Sequence, residues 1–170
     1  ALAKCSAFWT SNMYKKIHNI YACSGFLFNH ESILRPNNFV TQKVISTAQK
    51  ISKGSIEKLE LGDLTVVRDW GWAPEYVEAM WLMLQQDEPE NFVIATGKSY
   101  SLENFVKLVF NEFNLDWRNY VVINQKYIRK NELKISKGNP SFVKEKLGWK
   151  AKTDFKTLIH KLVHNKKNVY

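Results

Sequence analysis

Apolar residues recur every three or four positions in four segments of the chain, which is the periodicity of one helix face. The pattern predicts helices over residues 2–17, 39–51, 74–84 and 101–113, with two shorter helices at 141–147 and 153–163. The first helix begins without a capping residue, as though it were already under way at residue 1. In the third helix, the aromatic and methionine stripe at residues 80–84 is expected to belong to the core.

Short apolar runs between these helices predict strands at residues 20–28, 58–61, 65–70, 92–95, 120–123 and 126–128. The run 20–28 is almost continuously apolar, which is typical of a strand buried on both faces of a parallel sheet. A turn at Gly62 and Asp63 is expected to join the second and third strands. Residues 29–38 are expected to form a polar loop. Together these elements predict an α/β fold.

The chain has 170 residues, of which 45% are hydrophobic. That is enough for one domain, or for a small domain plus part of another. No apolar run approaches the roughly 18 residues of a membrane span, and the first residues lack the pattern of a secretion signal. Cys5 and Cys23 lie in apolar segments without metal-type spacing, so both are expected to be buried free thiols. These features predict a cytoplasmic protein with no membrane partner.

The net charge of +9 is concentrated near one end, because residues 121–170 hold 13 of the 25 Lys and Arg but only three acids. Such a segment can be a solvated face, a nucleic-acid footprint or a site for a small polyanion. Nucleic-acid binding would call for exposed aromatic residues between the charges. The aromatic residues of this segment fit core packing better, so no nucleic-acid partner is expected; they are Tyr127, Phe142, Trp149 and Phe155.

His160 and His164 are spaced by four residues on a predicted helix, which places them on one face. Two histidines at this spacing can bind a metal ion. However, no Glu follows His160 as in the zinc-protease pattern, and no third ligand is evident in the sequence. Both are therefore expected to be surface residues near a helix end, and no metal site is predicted.

Several motifs recur in the order and with the gaps of one enzyme family, and together they cover nearly all the chain. The segments that carry this similarity are 28–32, 35–36, 38–41, 61–64, 68–71, 76–85, 87–90, 92–97 and 144–149. The first of them reads Phe-Asn-His-Glu-Ser, and the last fits a Lys-x-Lys-Leu-x-Trp pattern. On these motifs the chain closely resembles the GDP-mannose 4,6-dehydratases, which belong to the extended short-chain dehydrogenase/reductases.

The resemblance implies the end of a Rossmann sheet followed by a smaller substrate-binding α/β domain. The implied domains are a Rossmann remnant at residues 1–38 and a substrate-binding domain at residues 39–170, parts of which pack back on the remnant. Family members carry a Tyr-x-x-x-Lys pair on one helix, and residues from Ala1 to Lys4 resemble its last four positions. The catalytic tyrosine is thus expected just before Ala1. The chain is interpreted as the carboxyl-terminal portion of such an enzyme.

The resemblance also implies a reaction in which NADP takes a hydride from carbon 4 of the sugar and returns it to carbon 6 after water is eliminated. Lys4 is implied to bind the cofactor and to favour the tyrosine phenolate, because a nearby ammonium lowers its pKa. His30 and Arg35 are implied to contact NADP, with NAD as the less favoured cofactor. Asn29 is implied to donate to the substrate diphosphate. Ligands of open parallel sheets bind at such carboxyl ends of strands.

A cradle for the GDP-sugar is implied by four further residues. Lys43 lies near the start of the second helix, where the helix dipole and free N–H groups favour a phosphate. Arg68 would add a forked donor suited to phosphate oxygens. Arg129 and Glu132 resemble an Arg-Pro-x-Glu element that binds phosphate and nucleoside, although Lys130 replaces its proline. Without the resemblance, the simplest interpretation of Lys43, Arg68 and Arg129 is that each forms a salt bridge on the surface.

Three alternatives stay open beside a GDP-mannose 4,6-dehydratase. One is a dehydratase for another GDP-sugar, such as a GDP-mannoheptose. The second is a truncated, non-catalytic protein that binds a nucleotide sugar or a partner subunit, and the third is a basic module that binds nucleic acid. By resemblance the protein is expected to form a homo-oligomer, either a dimer or a tetramer. The chain alone is expected to show no turnover, because it lacks the tyrosine and the Gly-rich loop.

Overall fold

The computed structural model describes residues 1–165 and is α/β, as predicted. The described part has six α-helices: α1 Leu2–His18, α2 Val40–Ser52, α3 Ala73–Met83, α4 Leu102–Asn111, α5 Ser141–Leu147 and α6 Phe155–His164. Its strands are β1 Gly25–Leu27, β2 Asn29–Glu31, β3 Leu59–Leu61, β4 Val67–Arg68, β5 Trp70–Trp72, β6 Phe92–Ile94, β7 Tyr100–Ser101, β8 Val121–Ile123 and β9 Ile135–Ser136. All six predicted helices are confirmed, with ends shifted by no more than two residues.

Parallel pairing dominates the sheets. The parallel pairs are β1 with β6, β2 with β5, β3 with β8 and β4 with β9, whereas β4 pairs with β7 in the antiparallel sense. The two strands that the segment at Gly62 and Asp63 connects, β3 and β4, do not pair with each other. Strand β3 instead pairs with β8, so that Leu59 lies opposite Val121.

Two strand predictions need correction. The expected long buried strand 20–28 is only three residues long, and Phe26 within it is 44% exposed, because β6 is its single partner among the described strands. The expected strand 126–128 is a 3-10 turn, Gln125–Tyr127, because the Asn124 side chain accepts a hydrogen bond from the backbone N–H of Lys126. Residues 29–31 of the expected loop form β2.

The larger hydrophobic core lies between α2, α4 and α6 and the strands beside them. Phe155 is central to it, stacking on Tyr100 with ring centroids 3.9 Å apart and on Trp70 at 5.8 Å. Helices α4 and α6 each begin at a side-chain cap, Ser101 and Asp154, which accept from backbone N–H groups of the first turn. Both helices therefore start at defined positions and present their apolar faces to this core.

The smaller core joins α3, β6 and α5, and its buried residues are Tyr76, Ala79, Met83, Phe92, Ile94, Val143 and Trp149. The prediction that residues 80–84 form a core stripe is wrong for most of that stripe. Trp81 and Leu84 are 60% and 59% exposed, because the face of α3 that packs on the sheet carries Tyr76 and Ala79. Gly71 of β5 allows this close packing, since a Cβ there would lie 2.3 Å from the Tyr76 ring.

Helix α1 has no buried residue, although it carries Trp9 and Ile17, which are both 66% exposed. It contacts β1 through the rings of Phe8 and Phe26, whose centroids are 5.1 Å apart. The expectation of two buried thiols is wrong, because Cys5 on this helix is exposed and Cys23 is half-buried. Among residues 1–165, no helix has the length and apolar character needed to cross a membrane. The domain division at residues 38 and 39 stays a prediction.

Candidate functional site

A cleft of about 700 Å³ opens where the amino-terminal end of α2 meets β2, β3, β4 and the segment 126–132. Six of the eight residues proposed from the sequence line it, namely Asn29, Arg35, Lys43, Arg68, Arg129 and Glu132. Their separation along the chain shows that the cleft is a product of the tertiary fold. His30 and Lys4 do not line it.

The start of α2 faces this cleft, and its first turn carries no acidic residue of its own. Its N-cap residue, Phe39, supplies no side-chain hydrogen bond. Lys43 places its ammonium over the Tyr127 ring at 4.3 Å and donates from Nζ to the carbonyl oxygen of Glu60 at 2.6 Å. The helix dipole and an ammonium thus act at the same end of the cleft, which favours an anion there.

A second cationic group comes from β4 and the segment that follows β8. Arg68 Nη2 donates to one oxygen of Glu132, and Arg129 Nε lies 3.7 Å from the other. The Arg68 side chain is 16% exposed, whereas that of Arg129 is 82% exposed. The Glu132 carboxylate therefore lies between a nearly buried guanidinium and a solvent-exposed one. The salt bridges that the residues alone suggested are present for Arg68 and Arg129, at the cleft, whereas none of those among the described residues involves Lys43.

Arg35 is held at the cleft by three contacts. Its Nε lies 3.0 Å from the Glu31 carboxylate, its Nη1 donates to the carbonyl of His30 at 3.2 Å, and its guanidinium stacks on Phe39 at 4.0 Å. Glu31 is 1% exposed and also accepts from the Thr41 hydroxyl at 2.6 Å. Burial raises the pKa of Glu31 above its usual value, although Thr41 and Arg35 oppose this. This cluster fixes the loop between β2 and α2.

Strand alternation separates His30 from its neighbours. Side chains of consecutive strand residues point to opposite faces, so Asn29 and Glu31 line the cleft and His30 does not. The His30 ring stacks on Tyr76 with centroids 5.2 Å apart, and its Nδ1 is hydrogen-bonded to the carbonyl of Phe28 at 2.8 Å. Lys4 is also remote from the cleft lining, being an exposed residue in the first turn of α1.

Three further residues complete the site: Glu31 and Asp63 had no binding role predicted from the sequence, and Tyr127, which was expected to fit core packing, is 46% exposed. Glu31 anchors Arg35, Tyr127 lies under the Lys43 ammonium, and Asp63 pairs with Lys134 at the rim. The side-chain hydrogen bonds from Lys134 and Thr65 hold the pKa of Asp63 well below its usual range. Glu31 and Arg35 are four residues apart, and this spacing could have indicated their ion pair from the sequence. The other contacts join residues that are far apart in the chain, so no local pattern indicated them.

The cleft combines five cationic side chains with four carboxylates, of which three are already paired with cations. The cations are Arg35, Lys43, Arg68, Lys126 and Arg129, and the acids are Glu31, Glu60, Asp63 and Glu132. Arginine forks and a helix amino terminus bind phosphate oxygens, while carboxylates accept from hydroxyl groups. The arrangement therefore suits a ligand that has both an anionic part and a hydroxylated part.

A sequence model of the family described as GDP-mannose 4,6 dehydratase matches residues 1–162. The chain is 44% identical to GDP-mannose 4,6 dehydratase 1 of Arabidopsis thaliana over 163 residues, which are 96% of the chain and 45% of that protein. It is 40% identical to GDP-mannose 4,6 dehydratase of Homo sapiens, covering 95% of the chain and 48% of that protein. The chain spans about half the length of the curated relatives it matches.

Solved structures share its fold at lower sequence identity. The protein described as RMD from Pseudomonas aeruginosa, complexed with NADPH, superposes with a TM-score of 0.85 at 17% identity, over 95% of this chain and 53% of that one. The UDP-glucose 4-epimerase of Thermotoga maritima, with UDP-glucose, superposes with a TM-score of 0.83 at 21% identity, over 97% and 52%. These likenesses confirm the predicted fold class, and the chain covers about half of each of these solved chains.

Proposed function

Because the chain belongs to the GDP-mannose 4,6 dehydratase family, we propose that it is the substrate-binding portion of an enzyme that converts GDP-mannose to GDP-4-keto-6-deoxymannose. The observation that carries this proposal is the cleft at the start of α2, where Lys43, Arg68 and Arg129 converge from three separate segments. A nucleotide sugar has the two parts that this lining suits: an anionic diphosphate and the hydroxyl groups of its sugars.

The diphosphate is proposed to bind between the amino-terminal end of α2 and Arg68. There it would accept hydrogen bonds from free backbone N–H groups of the helix, from the Lys43 ammonium and from the Arg68 guanidinium. Asn29, at the cleft edge of β2, would add an amide donor. Arg35 is already paired with Glu31, so its proposed contribution here is to position the loop.

Glu132 is proposed to change partners when the nucleotide sugar binds. Both of its oxygens face guanidinium groups in the structure, Arg68 on one side and Arg129 on the other. A phosphate that accepts from Arg68 would compete for that guanidinium. The released carboxylate oxygen could then accept from a ribose hydroxyl, which is the role that the family resemblance implies for Glu132.

A nicotinamide cofactor, with NADP preferred over NAD, is proposed for the complete enzyme and would supply the hydride acceptor. The residues present fit such a role, because Lys4 is exposed on α1 and the His30 Nε2 has no hydrogen bond among the described residues. Lys4 would favour the phenolate of a tyrosine four positions before it, since that spacing places both on one helix face. Arg35 is proposed to contact the cofactor through Nη2, because its Nε already faces Glu31 and its Nη1 donates to the carbonyl of His30.

Binding of GDP and GDP-mannose to the chain, measured by isothermal titration calorimetry, tests the cleft. Lys43→Met is expected to weaken binding about 10- to 100-fold, since it removes one charge-assisted hydrogen bond. Lys58→Met is the matched control, because Lys58 also donates to a backbone carbonyl and lies over a tyrosine ring, but outside the cleft. Equal affinities of the two variants would contradict the proposed phosphate site.

The reaction is tested with the complete polypeptide, GDP-mannose and either NADP⁺ or NAD⁺. Formation of the 4-keto-6-deoxy product, faster with NADP⁺, is the expected result. Turnover of a GDP-mannoheptose but not of GDP-mannose would move the proposal to the first alternative. Tight nucleotide-sugar binding without turnover of either would favour the non-catalytic alternative.

A homo-oligomer, either a dimer or a tetramer, and a cytoplasmic location are also part of the proposal. The exposed apolar residues of α1, such as Trp9 and Ile17, support the first, and the free thiols Cys5 and Cys23 support the second. Light scattering of the complete polypeptide measures its mass. A monomer at micromolar concentration would contradict the proposed assembly.

A further inference from the structure

The carboxyl-terminal ends of α4 and α6 bring together three side chains that metal ions prefer. His160 and His164 lie one turn apart on α6, and Glu112 caps the end of α4. Glu112 Oε2 lies 3.1 Å from His160 Nδ1 and 2.8 Å from His164 Nε2. The sequence offered no third ligand for the two histidines, but the fold supplies one from a residue 48 positions before His160.

We propose that Glu112, His160 and His164 form a binding site for one divalent transition-metal ion of the zinc class. Their ligand atoms all lie within 4.8 Å of one another. A tetrahedral zinc site with bonds of about 2.0–2.1 Å needs its ligand atoms about 3.3 Å apart. The two distances from Glu112 Oε2, 3.1 Å and 2.8 Å, are close to that spacing, and metal binding would adjust it by side-chain rotation. Water would complete the coordination as the fourth ligand.

The backbone beneath the site is well fixed. Helices α4 and α6 pack on each other in the larger core through buried residues such as Phe105, Val109, Leu158 and Leu162. The three candidate ligands themselves are accessible, since the side chains of His160, His164 and Glu112 are 65%, 45% and 28% exposed. A rigid frame with open ligands lets an ion enter and bind without disturbing the core.

The donor set selects the class of ion. Two imidazole nitrogens and one carboxylate suit zinc, copper, nickel or iron, whereas magnesium and calcium prefer oxygen ligands alone. The site also lies at the ends of two helices, where the partial negative charge of the helix dipoles favours a cation. The three residues do not line the cleft, so the proposed ion would connect α4 to α6 independently of nucleotide-sugar binding.

An ion bound only by the folded chain stabilises it by mass action. At a free zinc concentration about 100 times the dissociation constant, the melting temperature is expected to rise by about 5–10 °C for a chain of this size. Magnesium at the same concentration is expected to produce no rise. Replacement of zinc by Co²⁺ should give visible absorption bands, which report the coordination of the ion directly.

The test uses the 170-residue chain with Cys5→Ser, because an exposed thiol also binds zinc. Calorimetry is expected to show one zinc ion per chain. His164→Asn and Glu112→Gln should each weaken binding at least tenfold, while His18→Asn, a substitution of an exposed histidine on α1, should leave it unchanged. Circular dichroism confirms that each variant is folded. A dissociation constant above 0.1 mM would overturn the proposal, as would undiminished binding by His164→Asn.

Discussion

Asp69, which follows Arg68 of the cleft, offers a sharp test of how the fold is held together. Its side chain is fully buried, and no salt bridge reaches it among the described residues. Its Oδ1 accepts from the backbone N–H and the hydroxyl of Thr96, at 3.0 Å and 2.7 Å, and its Oδ2 accepts from the N–H of Gly97 at 2.9 Å. The carboxylate thereby connects β4 and β5 to the turn after β6.

Replacing Asp69 by Asn brings two opposing effects. The neutral amide removes the cost of burying a charge, but it also exchanges one acceptor oxygen for an NH2 group that faces the Gly97 N–H. Two donors are then left without acceptors, each of which costs about 1–3 kcal/mol when buried. The bonds that remain lose their charge assistance. We expect the unpaired donors to dominate, with a net loss of about 2 kcal/mol in the free energy of unfolding.

Urea denaturation followed by circular dichroism measures this loss, and thermal melting should show a fall of about 4–8 °C. Asp116→Asn is the matched control, because Asp116 also accepts a backbone N–H bond, from Arg118 at 3.1 Å, but on the exposed surface. Its substitution is expected to leave the denaturation midpoint within experimental error. If Asp69→Asn proves as stable as the parent or more so, the desolvation cost of the carboxylate outweighs its hydrogen bonds and the reasoning fails.

Three further substitutions probe the core, the close packing at β5 and the cleft. Leu158→Ala should lower the free energy of unfolding by about 2–5 kcal/mol in urea denaturation, because the side chain is fully buried, whereas Ile56→Ala should have no measurable effect at a residue that is 97% exposed. Gly71→Ala should lower the melting temperature, since its new Cβ would meet the Tyr76 ring; an unchanged melting temperature would contradict that close contact. Burial raises the pKa of Glu31, so its contribution to stability is present below the ordinary Glu pKa of about 4.3 and is lost as pH rises through the higher folded value. The stability of the parent relative to Glu31→Gln should therefore fall between acidic and neutral pH, and a rise, measured by urea midpoints across that range, would refute the sign.

Helices could be predicted from the sequence because their signals are local. The bounds of α5, Ser141–Leu147, were predicted to the residue, and the other helix ends were close. The buried face of α3 was not predicted, since apolar residues surround this helix and periodicity alone does not tell which of them meet the sheet. Met80 and Trp81 were placed in the core, whereas Tyr76 and Ala79 occupy it.

Strand pairing could not be predicted, because the partners lie far apart along the chain. Leu59 pairs with Val121, and nothing near residues 58–61 distinguishes that partner from the closer strand 67–68. The turn residues Gly62 and Asp63 indicated where β3 ends, but they carried no information about its partner. The weak strand expected at 126–128 failed for the opposite reason, because the Asn124 side chain specifies a turn locally.

The candidate site was predictable mainly through family resemblance. From the residues alone, Lys43, Arg68 and Arg129 all fitted surface salt bridges, and it was the family resemblance that grouped them as one phosphate cradle. The structure brings these three side chains to one cleft. The structure also adds two residues to the site. Glu31 lies within a family motif and Tyr127 lies near one, and the resemblance gave neither of them a role. The roles of all these residues in ligand binding stay predictions.

The long separation between paired strands has a consequence for how the chain acquires its structure. Glu60 and Asn124, whose side chains meet beside the β3–β8 pair, are 64 residues apart, and so are Arg68 and Glu132. Closing loops of this length before any contact is gained slows folding. On a ribosome, the cleft cannot be complete until residues 126–132, which form one of its walls, have been synthesised. The cleft is therefore completed late, after four of the six described helices have been synthesised.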